Sequence, residues 1–137
     1  IMADAVAVTT IDDGPRNAVF YLTNISDGTG EDAVAKIDVS ALSPNPNGDA
    51  CTGVRITKIS FSNVGMGVQL LFNATTNVLA AQLPADYTDT LDFSEFGGLK
   101  NYAGSGKNGD VLLTTVAHSD GDTYTVVISC TKEYTAL

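Results

Sequence analysis

Two β-branched segments near the carboxyl terminus, joined by a short acidic turn, constrain the fold more than any other part of the chain. The run Val111, Leu112, Leu113, Thr114, Thr115, Val116 is apolar but too short for a helix of ordinary length, and its Val and Thr side chains suit a pleated surface. Ser119, Asp120, Gly121 and Asp122 then supply turn chemistry. Residues 123–134 are long, β-branched and aromatic, the best strand pattern in the chain. Alternation places Tyr124, Val126, Ile128 and Cys130 on one face and Thr125, Val127, Ser129 and Thr131 on the other. One strongly apolar face and one mixed face predict a strand central in a β-sandwich.

The preceding sequence reads as a succession of short strands. Residues 1–16 mix small apolar residues with an Asp12, Asp13, Gly14, Pro15 turn and are expected to form an amino-terminal arm. Val6 to Val8 offers it a short strand at most, so the arm is either frayed or docked on a neighbouring chain. Residues 17–25 contain Ala18, Val19, Phe20, Tyr21 and Leu22, apolar on both faces, as fits a strand buried on both sides or lining a subunit contact. In residues 33–42, Ala35, Ile37, Val39 and Ala41 alternate with Val34, Lys36, Asp38 and Ser40, which predicts a core face and a mostly solvated one. Pairing with the strand before it, through residues 26–32, would make a hairpin.

Prolines 44 and 46 mark a loop, after which Val54 and Ile56 share one parity and Ile59 and Phe61 the other. That switch around Thr57 and Lys58 predicts a β-bulge, because one extra residue returns the later side chains to the core face. Residues 68–72 point Val68, Leu70 and Phe72 inward, and residues 78–83 form a further short strand, although their alanines also permit a helical turn. Residues 85–90 read as a loop holding Tyr87, and residues 90–94 as a strand. With no amphipathic helix and no internal repeat, the expected architecture is all-β. It is a single antiparallel β-sandwich, jelly-roll-like, over residues 17–137, preceded by the extended arm of residues 1–16.

At 137 residues, 44% of them hydrophobic, the chain is long and apolar enough to build one core without disulfides or metal. Its net charge of −9 repels phosphate backbones and anionic lipid surfaces, so neither nucleic acid nor membrane is an expected partner. Arg16, Lys36, Arg55, Lys58, Lys100, Lys107 and Lys132 are scattered along the sequence and form no basic patch there. No run is long and apolar enough to span a bilayer, and the amino terminus lacks the pattern of a signal peptide, so synthesis in a cytoplasm is expected. Cys51 and Cys130 are accordingly expected to be buried free thiols, with a bridge closing a long loop as the alternative.

Motifs for chemistry are weak. Gly104, Gly106 and Gly109 spell GxGxxG, but dinucleotide binding needs a strand before the motif and a helix after it, and here a strand follows. The single histidine, His118, has no base or nucleophile implied by spacing, so no catalytic residue is assigned. Asp12 with Asp13, and Asp120 with Asp122, sit in glycine-containing turns where Asp caps its own backbone, and neither these nor residues 45–49 match a calcium loop. No metal and no cofactor are expected. The sequons at Asn24 and Asn73 are read as coincidental.

Over residues 54–134 the chain resembles small virion proteins of tailed phages, in particular capsid decoration, or cement, proteins of marine and cyanobacterial phages. The resemblance is carried by residues 71–80 (LFNATTNVLA), Leu91 with Phe93, Phe96 to Leu99 with Asn101, residues 109–115 (GDVLLTT) and residues 121–126 (GDTYTV). It implies a β-sandwich, often a homotrimer, that binds the major capsid protein on the outer surface of a phage head at capsomer junctions and stabilises the shell, with no bond-making step. Under that reading Val6, Val8 and Ile11 of the arm, and Val19, Phe20, Tyr21 and Leu22 of the following strand, are the expected capsid and subunit contacts. A receptor- or carbohydrate-binding head of a phage fibre is the alternative, favoured if Tyr87, Tyr102 and Tyr134 cluster. A tail or neck component and a small β-fold enzyme using His118 are the others.

Overall fold

The computed structural model describes residues 5–101, 103 and 106–134. Residues 1–4 of the expected arm, Tyr102 of the tyrosine trio, and Gly104 and Ser105 of the glycine motif lie outside the described residues. Nine strands follow in order among the described residues: β1 (Ala5–Asp13), β2 (Asn17–Ile25), β3 (Val34–Ile37), β4 (Gly53–Val64), β5 (Gly67–Phe72), β6 (Val78–Leu83), β7 (Tyr87–Asp92), β8 (Val111–Val116) and β9 (Thr123–Glu133). Two short 3-10 turns, Val39–Ala41 and Ser94–Phe96, are the only helical elements among them.

The strands form a five-stranded sheet ordered β1-β2-β9-β4-β7 and a four-stranded sheet ordered β3-β8-β5-β6, every pairing antiparallel. From β2 onward the chain passes between the sheets at every connection except β5 to β6, which is the winding of a jelly roll, with β1 added as an extra edge strand. Phe20, Leu22, Ile56, Ile59, Val126 and Ile128 of the larger sheet meet Ile37, Val68, Leu70, Leu83, Val111 and Leu113 of the smaller, all buried in one core.

The strand predicted to be central is central: β9 lies between β2 and β4, with Tyr124, Val126, Ile128 and Cys130 inward. The predicted bulge is also present. Pairing of β4 with β9 shifts between Ile56 and Lys58, leaving Thr57 as the extra residue, its hydroxyl donating to the Ser129 carbonyl at 3.0 Å. That single insertion lets Val54, Ile56, Ile59 and Phe61 all reach the core.

Four expectations are corrected. Residues 5–13 are not a free arm but strand β1, paired with β2 from Ala5 opposite Ile25 to Asp13 opposite Ala18; their β-branched residues and the turn closed by the Gly14 N–H on the Asn17 carbonyl (3.0 Å) make a hairpin. Strands β2 and β3 do not pair, because residues 26–33 carry the chain from one sheet to the other. In β3, Lys36 points inward, since a register shift at that position turns it from the solvent face toward Glu31. Finally, residues 87–89 are strand rather than loop: Asp86, at φ 55°, makes the turn and accepts the Gly65 N–H at 2.8 Å, which sets Tyr87 opposite Asn63.

Candidate functional site

His118 stacks on Gly30, where an added Cβ would fall 2.2 Å from its ring, and its Nδ1 lies 3.1 Å from the Thr115 hydroxyl. Beside it a buried polar cluster closes one end of the core. Glu31 accepts from the Asn24 amide and the Tyr124 hydroxyl, each at 2.6 Å, and pairs with Lys36. These bonds occupy both oxygens of a carboxylate that meets almost no water and pair it with a buried ammonium, as a structural ion pair requires. Among the described residues no group of three His, Cys, Asp or Glu side chains could hold a metal. Among the described residues no helix is long and apolar enough to cross a membrane. Cys51 and Cys130 are free and buried, and burial pushes both thiols above their ordinary pKa.

The seven residues expected at capsid or subunit contacts separate into two sets. Phe20 and Leu22 point into the protein's own core, 2% and 0% exposed, and are closed to any partner. Val19 and Tyr21 alternate with them onto the outer face of the larger sheet, where Tyr21 is exposed. Val6 and Val8 stand opposite Asn24 and Leu22, on the core side of that sheet, but β1 overhangs the narrower four-stranded sheet and leaves them 42% and 44% exposed. Ile11, the bulged residue between Thr10 and Asp12, is exposed as well. The result is an apolar ledge under an edge strand nine residues long, whose blunting features, the bulge at Ile11 and the carboxylates of Asp12 and Asp13, are confined to its carboxyl-terminal end.

Sequence reasoning missed what lies above that ledge. Direct cross-strand partners share a face, so Thr9, Tyr21, Val127, Ser60 and Thr90 form one row across all five strands. Ala7, Thr23, Thr125, Ser62 and Thr88 form the next. Neither row holds a charge, in a chain of net charge −9. Hydroxyl pairs fix its outer end, Ser60 with Thr90 at 3.1 Å and Thr88 with Ser62 at 3.0 Å. Each strand's contribution is an ordinary Ser/Thr alternation in sequence; only the register shows that the uncharged positions align.

Tyr87 and Tyr134, two of the tyrosines expected to cluster under the carbohydrate-head alternative, sit at opposite ends of β4: Tyr87 faces Asn63, while Tyr134 follows Glu133, the partner of Gly53. Comparison with protein-family models, with curated proteins and with solved structures finds no match for this chain.

Proposed function

We propose that the protein is a non-catalytic binding module, a capsid decoration protein that holds the major capsid protein on the outer surface of a phage head and stabilises the shell. The observation that carries this reading is the ledge of Val6 and Val8 beneath the unpaired edge of β1, with Ile11 exposed at the bulge of the same strand. An exposed edge with free N–H and C=O groups offers main-chain pairing to another protein, and uncovered apolar side chains beside it add burial. The uncharged rows through Tyr21 and Val127 support the second half of the proposal, a homotrimer. Copies of an acidic chain meet with least repulsion where neither surface carries charge. Trimerisation would then strengthen attachment by avidity, each copy needing only a modest contact.

The test is co-sedimentation of the purified protein with capsids stripped of it, comparing wild type with the double variant Val6→Glu, Val8→Glu. Both valines are exposed, so the variant should keep its melting temperature while losing capsid binding. Undiminished binding by a folded variant would remove β1 from the interface and this reading with it.

A further inference from the structure

Three of the seven Lys and Arg residues, dispersed in sequence, converge on one pocket of about 240 Å³ at the end of the sandwich remote from the Glu31 cluster. It is lined by Thr52, Gly53, Arg55, Lys100, Lys107 and Glu133, over a floor formed by Val54 and Phe72. The remaining cations are elsewhere: Lys36 and Lys132 are buried in ion pairs, and Arg16 and Lys58 are exposed.

The fold holds these groups in place. Below the bulge β7 no longer covers β4, and Leu99 takes its position, exchanging hydrogen bonds with Ile56 at 2.8 and 3.0 Å. This sets Lys100 and Asn101 beside Arg55. The Asn101 amide donates to the Asn73 carbonyl at 3.0 Å, and Lys107 reaches back to the Asn101 carbonyl at 3.4 Å. The floor is kept open by glycine: Gly109 has φ +89°, and a Cβ there would fall 2.0 Å from the Thr52 carbonyl oxygen.

The balance of charge indicates the ligand. Glu133 takes the Arg55 Nε at 3.2 Å, and among the described residues the guanidinium Nη atoms and the Lys100 ammonium have no hydrogen-bond or ion-pair partner. Three cations against one carboxylate leave a local positive excess inside an acidic molecule, which favours an anion. A guanidinium with free Nη donors binds a carboxylate in bidentate fashion. Glu133 disfavours a dianion such as phosphate, while its oxygens and the Asn101 carbonyl accept from hydroxyls. The volume lies below the roughly 300–1,000 Å³ typical of sites for drug-sized molecules.

We propose that this pocket binds a small hydroxylated carboxylate, of which a hexuronic acid is the type, with the carboxylate on Arg55, Lys100 and Lys107 and hydroxyl groups donating to Glu133. The site is separate from the β1 ledge and stands or falls independently of the capsid reading. Calorimetric titration of the full chain with glucuronate, glucose and inorganic phosphate tests it. Glucuronate should bind saturably and glucose at least about tenfold more weakly. The variant Lys100→Gln, Lys107→Gln, which alters two half-buried side chains of the lining, should keep its melting temperature and weaken glucuronate about tenfold or more. Should that variant fold poorly, Arg55→Lys serves instead, since it keeps the charge, loses the bidentate fork and should still weaken binding. Equal affinity for glucose would overturn the role of the cations. Equal or tighter binding of phosphate would overturn the carboxylate assignment, and no binding of glucuronate at about 10 mM would overturn the site.

Discussion

Lys132, on the inward face of the central strand β9, forms an ion pair with Asp13 at the end of the edge strand β1, and its ammonium is wholly shielded from water. The Ser43 carbonyl accepts a second bond from it at 3.2 Å, and the Ser43 N–H and hydroxyl donate to Asp13 at 3.0 and 2.9 Å. One buried charge thus fastens the amino-terminal hairpin and the loop after β3 to the middle of the sheet. It also explains how a lysine occupies a position that alternation reserves for the core.

Replacing Asp13 with Asn should therefore destabilise the whole protein. The Asp13 side chain keeps 23% of its exposure, so the expected loss is about 2–3 kcal/mol, below the roughly 3–5 kcal/mol typical of breaking a fully buried pair. Burial works to raise the Asp13 pKa, but hydrogen bonds from Lys132 and Ser43 outweigh it and hold the carboxyl below its ordinary value of 3.8. A depressed carboxylate stabilises the fold above its unfolded pKa, and that contribution disappears as pH falls through the folded one. Urea unfolding at several pH values should show wild type losing this contribution below about pH 3.8 and Asp13→Asn lacking that limb.

Deleting Thr57 should be far worse than truncating it. The deletion removes the bulge, so that either Val54 and Ile56 or Ile59 and Phe61 must face outward, and a cooperative thermal transition should be lost. Thr57→Ala keeps the residue count and forfeits one hydrogen bond to Ser129, costing about 1 kcal/mol. Circular dichroism melts of the two variants make the comparison.

Both thiols should be silent in the native protein. Cys130 is 2% exposed and Cys51 5%, and burial disfavours the reactive thiolate in each. A chromogenic disulfide reagent should label neither at neutral pH and both after unfolding in guanidinium. Rapid labelling of either thiol in native buffer would show that the core opens at that site.

What was legible in the sequence was what alternation encodes. The β9 faces and the parity switch at Thr57 follow directly from side chains pointing to opposite sides of a strand, and both are found in the structure. Sheet membership is not encoded that way. Residues 26–33 are long enough either to close a hairpin or to cross the sandwich, and nothing local chooses between them. The burial of Lys36 is not legible in the sequence because a bulge in a four-residue strand leaves too few positions to reveal a parity change, and because Glu31, which makes that burial tolerable, lies in the preceding loop. Likewise Arg55, Lys100 and Lys107 are separated by whole strands, so only the bridge of Leu99 to Ile56 gathers them. Apolarity on both faces of β2 is legible in the sequence, while the register alone divides Phe20 and Leu22, which face the core, from Val19 and Tyr21, which face outward.

The most direct test of the proposed role is a cryo-electron-microscopy map of intact particles that contain this protein. The expected result is density for the jelly roll over the outer capsid, in copy number matching the capsid lattice, with the β1 edge and Val6 and Val8 against the major capsid protein. A few copies at a tail or vertex, or a lattice of copies whose β1 edges point to solvent, would contradict it.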